Sequence, residues 1–251
     1  MTAAPTPTLA AVSEATGRLL RAVGRMRPEQ VFEPSALPGW TRGHVLTHLA
    51  RNADALCNLL LGARTSQPIQ MYPSPESRDR AIEDGAKRPL AEQLADLRAS
   101  ALRFVAATEA MPDSAWSVQV PHRLGPFPAA RVADKRYSEV EYHHVDLLLD
   151  YSPAQWPADF VAEELAALTE RYHNIGSLPP VTLFDETTDM NYVIGQAVEP
   201  DAVIECGASG PSHALVAWLS GRSQGEGLEV RVGCAASPEL RSALPAIPPL
   251  G

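Results

Sequence analysis

Gly39-Trp40-Thr41-Arg42-Gly43-His44-Val45-Leu46-Thr47-His48 reads as the start of a helix that carries a histidine on its inner face. Pro38 and Gly39 mark a turn, Thr41 is a good N-cap because its hydroxyl can accept from a free backbone N–H, and apolar residues recur at helical spacing from Arg42 to about Leu61. With His48 at zero and about 100° per residue, Val45, Leu49, Leu56 and Leu59 fall between about 20° and 100°. Thr47, Arg51, Asp54 and Asn58 fall between about 240° and 300°. His48 therefore faces the core side, and His44, near 320°, sits at the edge of the apolar stripe. A single inward histidine is ordinarily a hydrogen-bonded core residue, so the helix alone does not make a site.

A second run supplies what the first lacks. Arg136-Tyr137-Ser138-Glu139-Val140-Glu141-Tyr142-His143-His144-Val145-Asp146 is also helical in pattern and carries carboxylates and histidines one turn apart. Two frames are open: Glu139 with His143 at i, i+4, or Glu141 with His144 at i, i+3, the latter like the Glu-x-x-His pairs of di-iron bundles. With Glu139 at zero, Val132, Val140, His143 and Leu147 cluster between about 20° and 100°, while Glu141 lies near 200° with Asp134. The periodicity selects Glu139 and His143. Joined to His48 they form a His₂Glu set, a common catalytic zinc site that keeps a position open for water or substrate.

The runs GWTRGHVLTHLARNADALCNLL, MYPSPESRDRAIEDG and RYSEVEYHHVDLL resemble the mycothiol-dependent maleylpyruvate isomerases, and the resemblance extends over most of the chain. It implies an α+β protein: an N-terminal DinB-like four-helix bundle followed by a smaller C-terminal α/β domain similar to sterol-carrier folds. It also implies zinc held by His48, Glu139 and His143, which agrees with the set reached from periodicity. Mycothiol would be the second cofactor, and a maleylpyruvate-like dicarboxylate the substrate, turned from cis to trans to give fumarylpyruvate in the gentisate pathway. A zinc-bound thiol is deprotonated outright, so addition to the activated double bond, rotation and elimination would complete the isomerisation. The family has an arginine at the place of Arg222, and Arg78 in the SPESR run is the expected N-terminal partner for a substrate carboxylate. Two other readings stand beside this one: a mycothiol S-transferase using the same zinc-thiolate, and a noncatalytic metal-sensing bundle, which a fourth protein ligand closing the tetrahedron would favour.

Composition narrows the alternatives. A net charge of −9 over 251 residues disfavours nucleic acid or anionic membrane as the main partner. No apolar run approaches the roughly 18 residues a membrane span needs, and MTAAPTPTLA lacks the pattern of a signal peptide, so a cytoplasmic protein is expected. Cys57, Cys206 and Cys234 lack CxxC spacing and read as small apolar residues. His44 to His48 has the spacing of HExxH but carries Val45 where a zincin needs its general-base Glu, and Gly207-Ala208-Ser209-Gly210 is one residue short of a GxSxG elbow. The metal constellation stands alone as chemistry.

The remaining pattern predicts bundle helices over about 8–26, 90–111 and 129–150, with 65–77 too rich in proline to be helix. Tyr72, Arg78 and Arg80 on or after that loop are polar groups available to a substrate. Short runs at 116–120 and 124–128 predict a hairpin or extended crossover. The two prolines of Tyr151 to Pro157 mark a linker, dividing a metal-binding bundle, 1–152, from an α/β domain, 153–251. In the latter, a helix over 159–175 and another over 214–219 accompany strands at 181–184, 192–194, 203–206 and 228–232. The pattern does not yield their order.

Overall fold

The computed structural model describes residues 4–123, 125–173, 175–196 and 206–250. The chain forms two compact units, Met1–Asp150 and Tyr151–Gly251.

The first unit is built from α1 (Thr6–Val23), α2 (Arg42–Thr65), α3 (Pro75–Ala86), α4 (Leu90–Glu109) and α5 (Arg131–Asp146). At its centre lies α2, on which α3, α4 and α5 all pack. Val45, Leu46, Leu49, Leu56 and Leu59 are fully enclosed, and truncating any of these leucines to Ala should cost about 2–5 kcal/mol in lost transfer energy and cavity. Two glycines permit the close approach of α3 and α4. A Cβ on Gly43 would meet the Ala86 carbonyl at 2.7 Å, and one on Gly85 would meet the Thr47 methyl at 2.4 Å. The reading of 65–77 as wholly irregular is corrected here, because α3 begins at Pro75. Proline fits the first turn of a helix, where no N–H partner is needed, and Ser74 and Ser77 close a reciprocal cap around it. The runs flanking Pro121 form a two-residue antiparallel pair, β1 (Gln119–Val120) with β2 (Phe127–Pro128); Leu124 lies outside the described residues.

Glu141, placed with the polar residues of its helix by periodicity, is in fact 1 % exposed. Packing of α1 against that side of α5 brings Arg18 to 2.5 Å from its carboxylate. Helix α5 is enclosed on two sides, a circumstance that a one-stripe reading does not anticipate.

The second unit carries α6 (Ala158–Tyr172), α7 (Ser212–Leu219) and a five-stranded sheet: β3 (Val181–Asp185), β4 (Met190–Ile194), β5 (Cys206–Gly210), β6 (Glu229–Val232) and β7 (Ala235–Ser237). The order is β4-β3-β5-β6-β7, with β3 and β5 parallel and the other neighbours antiparallel. Val181, Leu183 and Asp185 point inward on alternate positions of β3. Asp185 is fully buried yet satisfied, accepting from the Ser212 hydroxyl at 2.7 Å and the Thr188 hydroxyl at 2.6 Å, which ties β3 to the start of α7. Residues 203–205 of the expected strand lie outside the described residues; the described part starts at Cys206 and continues to Gly210.

Candidate metal centre

His48, Glu139 and His143 converge. Their ligand atoms lie within 4.8 Å of one another, the one such group among the described residues. His48 Nε2 is 2.8 Å and His143 Nε2 3.3 Å from the same oxygen, Glu139 Oε2. The two rings meet edge to face with centroids 4.6 Å apart. Donors each about 2.0–2.2 Å from a tetrahedral ion stand roughly 3.3–3.6 Å apart, so this group needs only a small opening to hold one. The donor set also suits zinc chemically: two imidazoles and a carboxylate, with a further carboxylate behind one imidazole. His143 Nδ1 is 2.8 Å from Asp146 Oδ2, the arrangement that fixes a ligand histidine's tautomer and presents Nε2 to the metal. The Glu139 side chain remains 31 % exposed, so the cluster is open to solvent on one side.

Its electrostatics follow from that placement. Burial pulls the His48 imidazole down, more than the Glu139 carboxylate pulls it up. For His143 burial also works against charge, but hydrogen bonds to Asp146 and Glu139 outweigh it and raise the imidazole. Glu139 is held well below the usual carboxylate range, because the two imidazoles overcome the effect of burial.

The framework that sets this geometry is local and traceable. Arg42, 8 % exposed, donates from Nε to the Leu147 carbonyl at 2.6 Å and from Nη2 to the Leu148 carbonyl at 3.2 Å, and pairs with Glu33 through Nη1. The first residue of α2 thus holds the two carbonyls just past the end of α5 and links the helices bearing His48 and His143. Trp40 leans on the His48 ring at 5.7 Å between centroids. His44, four residues before His48, serves the helix end instead: Thr41 donates its backbone N–H to His44 Nδ1 at 3.1 Å, while the His44 N–H returns to the Thr41 hydroxyl at 3.4 Å. This is a capping box with imidazole in place of the usual glutamate.

Arg78 reaches the cluster from α3, with Nη2 3.3 Å from His48 Nδ1. Guanidinium can only donate, so Nδ1 accepts and His48 turns its Nε2–H toward Glu139. Tyr72 stands in the preceding loop, which Asn58 anchors by donating to the Met71 carbonyl at 3.1 Å. Burial pushes the Tyr72 phenol up to about 12, with Arg78 drawing it partly back, so it is a protonated donor at neutral pH. Arg80 is exposed. Arg222 belongs to the second unit, just past α7, where Gly221 at φ +76° ends the helix and the Arg222 N–H returns to the Ala217 carbonyl at 2.7 Å. Its Nη1 donates to the Ser220 carbonyl at 2.7 Å. Burial raises the Cys57 thiol to about 11, which leaves it protonated and unreactive.

Asp146 and Arg42 escaped the reading of the sequence. Asp146 had a signal, its position one turn beyond His143; Arg42 had none, since a buried guanidinium at a helix start leaves no mark on the periodicity.

A helical bundle that gathers two imidazoles and a carboxylate, followed by an α/β unit, is the architecture of an enzyme. The chain belongs to the family described as the mycothiol maleylpyruvate isomerase N-terminal domain, whose model matches residues 12–148. Two solved structures, each 26 % identical and aligned over 99 % of this chain and 100 % of theirs, are similar throughout. One is the mycothiol-dependent maleylpyruvate isomerase, with a TM-score of 0.87, and the other a histidine-to-alanine mutant of it, with 0.86. No curated protein matches the sequence. Among the described residues no helix is long and apolar enough to cross a membrane.

Proposed function

We propose that this protein is a zinc- and mycothiol-dependent cis–trans isomerase that converts maleylpyruvate to fumarylpyruvate. The observation that carries the reading is the convergence of the ligand atoms of His48, Glu139 and His143 to within 4.8 Å of one another. Bound there, zinc would lower the pKa of the thiol so that it meets the substrate double bond as thiolate.

The chain's own residues do the rest. Three protein ligands leave room for an outside sulfur, and Asp146 keeps His143 oriented. When His48 is a ligand through Nε2, its proton sits on Nδ1, and Arg78 must turn from it, which frees Nη2 for a substrate carboxylate while Nη1 is held by Asp79 at 2.8 Å. Tyr72 offers a hydroxyl to the oxygen on which negative charge gathers as the double bond is attacked. Arg222 is assigned to the second carboxylate on the strength of the family resemblance.

A mycothiol S-transferase would use the same ligands and release a conjugate. The deciding experiment is zinc analysis of the purified protein together with an absorbance assay of maleylpyruvate isomerisation, with and without mycothiol. Isomerisation at full rate in the absence of any thiol would overturn the mechanism, and a thiol adduct as the sole released product would assign the transferase.

A further inference from the structure

The bundle has an unclosed seam on α1 and α4. Helix α4 packs closely on α2 and α1 on α5, so α1 and α4 make little direct contact. A cavity of about 380 Å³ lies between them, within the size range of small-molecule sites. Its walls are apolar, with Val12 and Leu20 on α1 and Phe104 and Val105 on α4. Leu102, also on the wall, is 70 % exposed. Gly17 stands in the middle of α1 and lines the cavity.

The polar lining consists of the hydroxyl residues Ser13 and Thr16 and two arginines, Arg98 and Arg136. Arg136, on α5, has a residue exposure of only 1 %. Nη1 donates to the Leu49 carbonyl and to Asn52 Oδ1, both at 2.9 Å, but Nη2 is buried with no hydrogen-bond partner. A buried charged donor left unmet is unfavourable, because it has given up water without a replacement. Burial lowers Arg136 to about 10, so it is still a cation at neutral pH. Arg98, exposed at the rim, forms no ion pair among the described residues, and no carboxylate lines the cavity.

We propose that this seam is a second ligand site, entered between α1 and α4 and not at the metal cluster, for a monocarboxylate with a hydrocarbon body. The chain would lie between α1 and α4, and the carboxylate would take the unmet Nη2 of Arg136. A small polar dicarboxylate fits poorly, since its second charge would face apolar walls. Reaching Nη2 requires lining side chains to change rotamer, and the loose contact of α1 with α4 leaves room for that.

The test is calorimetric titration of the full chain with octanoate and, separately, with 1-octanol, which has the same tail and no charge. Octanoate should bind at least about tenfold more tightly than octanol, as expected for a charge-assisted bond to guanidinium. Ala101→Trp, which fills the cavity from the partly exposed face of α4, should abolish octanoate binding while circular dichroism and zinc content stay unchanged. Arg136→Met, if folded, should bring octanoate down to the affinity of octanol; if it does not fold, the octanol comparison and Ala101→Trp still decide. Equal affinity for the two probes, no binding of octanoate up to about 1 mM, or undiminished binding in Ala101→Trp would each overturn the proposal. So would a chain dimer, seen by sedimentation, that covers the seam and excludes octanoate.

Discussion

Glu139 and Glu141 stand two residues apart on α5 in opposite surroundings. Glu139 is open to solvent on one side, 31 % exposed, with two imidazoles on one of its oxygens. Glu141 is sealed under α1, 1 % exposed, with Arg18 as its partner. The adjacent histidines divide the same way. His143 joins the cluster, with its imidazole raised by Asp146 and Glu139 against burial. His144 is buried, which pushes it down to about 4 and keeps it neutral. The more deeply buried acid is therefore the structural one, and the candidate ligand is the acid the fold leaves partly open. A carboxylate paired with one guanidinium is finished; one that gathers two imidazoles and keeps a free side can still take an ion and an outside ligand.

The strongest way to break this contrast is to remove ligands. Replacing His48, Glu139 or His143 by Ala should empty the site in a metal analysis and lower isomerase activity by about 10²-fold or more, because each deletes one of three protein ligands. Zinc retained by Glu139→Ala but lost by Glu141→Ala would reverse the two roles. Next in size are the arginines. Arg222→Lys and Arg78→Lys should preserve fold and zinc but lose on the order of 1.5–3 kcal/mol in kcat/KM, since a lysine cannot reproduce bidentate binding of carboxylate. Unchanged kinetics in Arg222→Lys would return that residue to closing its helix.

Smaller effects sharpen the comparison within each face. Asp146→Asn should weaken zinc affinity about 10- to 100-fold in competition with a chelator, because His143 loses the carboxylate that orients it. Glu141→Gln should leave zinc stoichiometry untouched and cost only about 1–2 kcal/mol in chemical denaturation. Arg18, with 30 % of its side chain exposed, can turn to water when its partner is neutralised.

What the sequence by itself determined about this protein is the part that depends on neighbours along the chain. Helical periodicity and the Thr41 cap place α2, and the apolar stripe of α5 selects Glu139 with His143 over Glu141 with His144, although both pairs stand one turn apart. Prolines mark the connectors, although at Pro75 the same residue begins a helix. Tertiary structure alone decided the rest. That Glu141 is buried follows from α1 lying against α5, a contact across more than a hundred residues of chain. The approach of Arg78 to His48 depends on Gly43 and Gly85 admitting α3 to α2. Arg42 joins α2 to the end of α5, and the order β4-β3-β5-β6-β7 is a matter of pairing between distant strands. Periodicity reports which face of an element is apolar; it does not report how many other elements will cover that element, and burial, partner choice and charge state all turn on that number.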